Sequence, residues 1–143
     1  MRRIEIRRVT EEEARGAVKL MAELDLIHSA LSVRNLWVVL EGESVVGVAN
    51  LEPCADGFFL SSLGVADTHR NMGLARQLIE SMLKGVDADV YAYTVIPGFF
   101  KKLGFAEVSA PKGLPPKEMF GCERCDPGIC KCMVRRRDDT GVS

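Results

Sequence analysis

A chain of 143 residues, 47% of them hydrophobic, can build one domain with a proper core and is too short for two comfortable ones. Nineteen Lys and Arg against twenty Asp and Glu leave a formal charge of −1, so no overall basic field recommends nucleic acid or a membrane surface as a partner. Charges interrupt MRRIEIRRV where a secretory leader needs an unbroken apolar stretch, and no apolar run approaches the roughly 18 residues of a membrane span, so the expected location is cytoplasmic.

Residues 2–9 alternate, with Ile4 and Ile6 on one side and Glu5 and Arg7 on the other, which suits an edge strand. Thr10 opens a helix, because Thr10 and Glu13 have capping-box spacing and Ala14, Ala17, Val18, Met21 and Leu24 follow at helical period. A second short helix is expected over 25–31, carrying His28. Segments 35–41 and 44–52 are rich in Val and Leu and joined by Gly42-Glu43, a hairpin pattern, and 58–65 is a nearly continuous apolar strand. The helix that follows repeats Ala75, Leu78, Ile79 and Met82 at i, i+3, i+4, i+7. A strand at 89–95, a short helix around 97–103, a strand at 105–109, a Pro/Gly-rich loop and a last strand near 131–137 complete the chain. Arg135-Arg136-Arg137 runs straight into Asp138-Asp139 and reads as a solvated, locally neutralised tail. With no internal repeat or low-complexity linker, the expected fold is a single α+β, or mixed α/β, domain over 1–143, with helices on both faces of a mixed sheet.

The start of the third helix is unusual in its lack of side-chain cover. Arg70-Asn71-Met72-Gly73-Leu74-Ala75 presents a run of backbone N–H groups with a glycine and an alanine among them. A strand leading through a short loop into such a helix aims free N–H groups and the positive end of the helix dipole at one point, which suits a phosphate. Gly73 allows a ligand to approach the backbone and Arg70 adds charge at the rim. The alternative is that Gly73 and Ala75 only let the helix pack tightly on the sheet.

Those six residues match the Arg/Gln-x-x-Gly-x-Gly/Ala signature of the GNAT superfamily of acetyl-CoA-dependent N-acetyltransferases. They follow a strand, Leu60 to Val65, that resembles the central one of that family. Pro97-Gly98-Phe99-Phe100-Lys101-Lys102-Leu103-Gly104-Phe105 is similar to the aromatic pair, three residues and Gly-Phe that close the family's cofactor site. The resemblance covers about residues 2–109. It implies that the backbone of residues 70–75 holds the coenzyme A pyrophosphate and that the backbone of Leu63 and Val65 pairs with the pantetheine arm. It further implies that Phe99 and Phe100 border the site, and that the next strand splays away to make room for the acetyl group. An amine then attacks directly, with a backbone N–H, that of Val65, on the developing oxyanion.

The sequence departs from the family pattern twice. The aromatic pair usually ends in tyrosine, the proton donor to the leaving thiolate, where this chain has Phe100; the strand carboxylate that serves as base aligns with Phe59. Glu52 is the first candidate for the base, ahead of Asp56 and His28, each of which has a purely structural reading. Tyr91 and Tyr93, two apart on one strand face, can supply the missing hydroxyl, Tyr93 being carried forward as the acid, although both suit a strand as cover residues. Cys54 reads as a small buried hydrophobe.

The C-terminal stretch, residues 120–133, contains Cys122, Cys125, Cys130 and Cys132 and resembles the corresponding segment of N-acetylglutamate synthase-type amino-acid acetyltransferases. A small amine, an amino acid first, is therefore the expected acceptor, with Arg7, Arg34 and Lys112 as candidate carboxylate contacts. The four thiols, turned back by Asp126-Pro127-Gly128, suit a structural zinc site, with an iron–sulfur cluster or a redox disulfide as alternatives. Acetylation of protein N-termini or lysines, and non-catalytic acyl-CoA binding, remain rival functions, and a homodimer is left open.

Overall fold

Thr10 joins the first strand to the first helix through a single carboxylate. In the computed structural model, which describes residues 3–26, 32–54, 57–94, 96–109 and 131–136, the alternating segment forms β1 (Ile4–Arg8). The backbone N–H and hydroxyl of Thr10 donate to Glu13 at 3.1 and 2.7 Å, and Arg7 adds a third donor at 2.6 Å. The expected capping box thus starts α1 (Glu11–Glu23), with Glu11 and Glu12 beside the positive end of its dipole. Asp25 then takes φ 57 and turns the chain out of the helix, so no second helix begins at residue 25. The rest of that expected helix, His28 included, lies outside the described residues.

The hairpin forms as read, with β2 (Leu36–Glu41) and β3 (Ser44–Cys54) joined through Gly42 at φ 61. Next come β4 (Gly57–Val65), α2 (Leu74–Leu83), β5 (Val90–Thr94) and α3 (Pro97–Lys101). The chain closes with β6 (Ala106–Glu107), shorter than expected, and β7 (Lys131–Arg135). The seven strands form one sheet in the order β1-β2-β3-β4-β5-β7-β6, antiparallel except for β4 and β5. A parallel pair needs a crossover, and α2 supplies it.

Alternation divides the core between the two faces. Leu36, Val38, Leu40 and Val48 pack against Ala17, Leu20 and Met21 of α1, whereas Val39, Ala49, Leu60, Val90 and Ala92 pack against α2 and Phe100 of α3. On α2 the buried stripe is Leu74, Leu78, Ile79, Met82 and Leu83. Ala75, expected in that stripe, is only half-buried, because the helix starts at Leu74 and Leu74 takes the inward position.

Candidate active site

The site begins as a defect in pairing. On β3 and β4, Val48 faces Gly64 and Asn50 faces Ser61, so Ala49 alone stands opposite both Ser62 and Leu63. This bulge is centred on Ser62, a non-glycine residue at φ 55 whose hydroxyl is tied to Leu26 O at 2.8 Å just beyond α1. On the other side of β4 the ladder to β5 ends at Leu60–Ala92. Past that pair the two strands part while β5 stays on β7 through Tyr93–Cys132 and Thr94–Lys131. The result is a fork between the two parallel strands.

The bulge decides which backbone groups line it. Ala66 N–H donates to Val46 O at 2.8 Å, so by alternation Ala66 and Gly64 face β3, and Val65 between them and Leu63 just before Gly64 turn their N–H and C=O toward the fork. Both residues read as pairing with an extended ligand therefore lie on an edge of β4 that no other strand among the described residues occupies, with Leu63 nearer the closed end. Such an edge accepts an extended ligand as an added strand.

Beyond Val65 the chain makes a 3₁₀ turn (Asp67–His69), passes Arg70, Asn71 at φ 65 and Gly73 at φ 75, and enters α2. Gly73 caps the helix without a side chain, and the first helical hydrogen bond to it is Gln77 N–H to Gly73 O at 3.1 Å, so the N–H groups ahead of Gln77 have no helical acceptor. Among the described residues a β-carbon on Gly73 would meet nothing nearer than Gln77 Nε2 at 4.0 Å, so the glycine meets a conformational need and leaves open space above the helix start. Packing on the sheet does not explain it. Arg70 is exposed, pairs with Asp67 at 3.0 Å and approaches Val65 O at 3.5 Å. The exposed Met72 on this loop and the exposed Ile96 after β5 flank the mouth, since both loops leave the same end of the parallel pair. That end is where open α/β sheets bind ligands. The open edge, the N–H groups at the helix start and the apolar flanks fit a nucleotide-linked thioester.

The side chains facing the fork from the α1 side follow from register. Glu52, Phe59 and Tyr91 are cross-strand neighbours and share that face, as do Asn50 with Ser61, and Tyr93 with Cys132. Glu52 is half-buried; burial raises its carboxyl above the ordinary 4.5, and Oε1 is buried with no hydrogen-bond partner among the described residues. Tyr93 is the first β5 residue past the end of the ladder, its ring edge-on to Phe59 with centroids 5.1 Å apart. Tyr91 is less suited to proton transfer there, because its hydroxyl lies 3.5 Å from Arg136, which also bonds Asp89 at 3.1 Å. Cys54 is half-buried, less covered than the expected small buried hydrophobe; burial, and then the Glu52 charge, raise its thiol, which keeps it protonated.

Other candidates fall elsewhere. Phe100 is buried in the α2-side core between Phe99 and Phe105, with ring centroids 5.3 and 5.2 Å apart, and half-buried Phe99 covers it. The pair holds α3 at the mouth of the fork. Arg7 is committed to Glu13 and Glu5, and Arg34 is exposed in the 3₁₀ turn (Val33–Asn35) that precedes β2. Asp56, His28 and Lys112 lie outside the described residues. So do Cys122, Cys125 and Cys130; Cys132 is buried on β7, and no metal-binding cluster occurs among the described residues. The bulge at Ser62 went unread in the sequence, since Ser61-Ser62 carries no glycine, asparagine or aspartate to announce a left-handed residue. A separate cleft of about 530 Å³ between α1 and the β2–β3 hairpin is lined by Glu12, Glu23, Glu41 and Glu43, a field that repels phosphates.

A mixed sheet forked between its parallel strands, with a glycine-opened helix start at the mouth, defines an acyltransferase that works on a nucleotide-linked thioester. A profile of the acetyltransferase (GNAT) domain matches residues 32–107, and the chain belongs to that family of acetyl-CoA-dependent N-acetyltransferases. An uncharacterized N-acetyltransferase of Chlorobaculum tepidum is 28% identical over 131 residues, covering 84% of this chain and 79% of the relative. Among solved structures, N-acetylglutamate synthase from Neisseria gonorrhoeae, complexed with coenzyme A and L-arginine, superposes with a TM-score of 0.71 at 18% identity over 96% of this chain. The chain spans only 34% of that synthase. Rv2747 from Mycobacterium tuberculosis, in complex with CoA and NLQ, gives 0.71 at 16% identity, covering 92% of this chain and 98% of that one. Escherichia coli ElaA gives 0.68 at 14% identity, covering 95% and 100%. These likenesses carry the fold. Among the described residues no helix is long and apolar enough to cross a membrane.

Proposed function

We propose that the protein transfers the acetyl group of acetyl-CoA to the primary amine of a small molecule, an amino acid first among the candidates. The single observation that carries this reading is the fork: beyond Leu60–Ala92 an edge of β4 that no other described strand occupies, with the bulge at Ser62 on its opposite side, runs into the N–H cradle of residues 70–75. In this reading Arg70, Asn71, Met72, Gly73, Leu74 and Ala75 hold the pyrophosphate with their backbone. Leu63 and Val65 pair with the pantetheine arm. Phe99 and Phe100 anchor the helix that closes the mouth.

The amine lone pair forms a bond to the thioester carbonyl carbon while a β4 N–H, that of Val65 or its neighbour Leu63, stabilises the oxyanion. The C–S bond then breaks. Glu52, its proton affinity raised by burial, takes the proton released by nitrogen, and Tyr93 gives one to the departing thiolate. Phe100 cannot give that proton. The amino-acid preference is supported by the cysteine-bearing segment at 120–133, and by the likeness in fold to a synthase solved with L-arginine in one structure and N-acetyl-glutamate in another. In the same reading Cys122, Cys125, Cys130 and Cys132 hold a structural zinc that pins the approach to β7.

The test is release of free thiol from acetyl-CoA against a panel of amino acids, polyamines and peptides. Turnover of amino acids above the rest is expected. Turnover confined to peptides would move the acceptor to protein termini or lysines, and tight acetyl-CoA binding with no turnover of any amine would make the chain a binding module.

A further inference from the structure

On the α1 face, the row Asn50–Ser61 runs up to the fork, and Tyr93–Cys132 resumes it on the far side. Asn50 is wholly buried, yet only one end of its amide is engaged: Nδ2 donates to Ser61 Oγ at 3.2 Å, while Oδ1 has no hydrogen-bond partner among the described residues. Glu52, the next residue on the same face, is half-buried, and its Oε1 is likewise buried with no hydrogen-bond partner among the described residues. Buried acceptors without donors are uncommon in folded proteins because each costs stability. Two of them side by side, at the closed end of a fork, call for a ligand rich in N–H groups.

An attacking primary amine has that chemistry. Its lone pair must point at the carbonyl carbon, so its two N–H bonds must point elsewhere and find acceptors there. The geometry points to Asn50 Oδ1 accepting one N–H of the acceptor amine while the Glu52 carboxylate accepts the other. Ser61, by accepting from Nδ2, fixes which way round the amide lies and leaves Oδ1 as the open acceptor. This inference rests on the acetyl-transfer reading above and adds a selectivity to it. A secondary amine or an alcohol has a single hydrogen to give and leaves one of the two oxygens unpaired, so the pair favours primary amines.

The experiment uses the full chain with acetyl-CoA and methylamine, a probe that supplies N–H donors and almost nothing else, against dimethylamine. Asn50→Leu keeps the shape and removes the oxygen. It is expected to lower kcat/KM for methylamine by about tenfold to a hundredfold, the loss of a hydrogen bond to the reacting group, with KM for acetyl-CoA unchanged. Its melting temperature is expected to equal or exceed that of the wild type, because an unpaired buried acceptor is gone. A merely structural asparagine gives the reverse pattern. Ser61→Ala, a milder change that leaves the amide free to turn, is expected to reduce the same constant less and to erode the preference for methylamine over dimethylamine. An unchanged methylamine constant in Asn50→Leu, or in Ser61→Ala should the leucine variant not fold, overturns the proposal. Wild-type protein that binds acetyl-CoA and turns over neither methylamine nor any amine of the panel overturns the underlying reading instead, a result distinct from turnover indifferent to Asn50.

Discussion

Replacing Gly73 separates the cost to the fold from the cost to the ligand. Its φ of 75 is one that an L-residue enters at roughly 1–2 kcal/mol, partly offset by the stiffer unfolded chain, so about 1 kcal/mol of stability is lost in Gly73→Ala and somewhat more in Gly73→Val. That is about 2–6 °C of melting temperature for a domain of this size. No clash with the described residues adds to it, since their nearest atom to the new β-carbon is 4.0 Å away. The ligand fares worse. A side chain over the helix start holds a phosphate off N–H groups whose charge-assisted bonds are worth about 1.5–3 kcal/mol each, so Kd for coenzyme A is expected to rise roughly tenfold to a hundredfold in Gly73→Val. Asn71→Gly is the control, because it relieves a residue at φ 65 in the same loop and blocks nothing. Thermal melts and titration calorimetry read both quantities. A folded Gly73→Val protein that binds coenzyme A as the wild type does would refute the reasoning.

Other outcomes follow from single groups. Glu52→Gln is expected to cut kcat by about a hundredfold or more, within the usual range of general-base catalysis, and to abolish the acid limb of the pH–kcat profile; because burial raises this carboxyl, the wild-type limb lies above the ordinary 4.5. Tyr93→Phe lowers kcat with little change in KM, whereas Tyr91→Phe, whose hydroxyl is engaged with Arg136, does neither; equal effects would remove the assignment. Glu13 is held down to about 2 by Arg7 and Thr10, so its contribution is complete above 4.5 and disappears as pH falls from there toward 2. Denaturant titrations should show Glu13→Gln less stable by about 1–2 kcal/mol at pH 7 and level with the wild type near pH 2. Elemental analysis of protein purified without added metal is expected to find about one zinc per chain, and four freely titratable thiols would exclude the site.

The sequence carried most of the fold because its signals are local. Thr10 and Glu13 at capping distance, the Gly42 turn between two valine-rich runs and the spacing of Leu78, Ile79 and Met82 each bind neighbouring residues, and each element formed where expected. The left-handed entry to α2 was readable for the same reason, since Gly73 announces its own backbone conformation. The fork was readable only through resemblance. Ser62 reaches a left-handed conformation through tertiary context, held by a bond to Leu26 thirty-six residues away, and nothing in Ser61-Ser62-Leu63 reports it. Asn50 escaped notice likewise, because an asparagine in a strand reveals its unpaired oxygen only after burial.

The claim that the bulged edge of β4 and the loop into α2 together hold acetyl-CoA is tested most directly by titrating coenzyme A into ¹⁵N-labelled protein and following backbone amides. The largest shifts are expected at Leu63, Val65 and residues 70–75, with Glu41 and Glu43 of the acidic cleft unmoved. Binding that leaves Leu63 and Val65 unshifted, or that moves the acidic cleft instead, would contradict the claim.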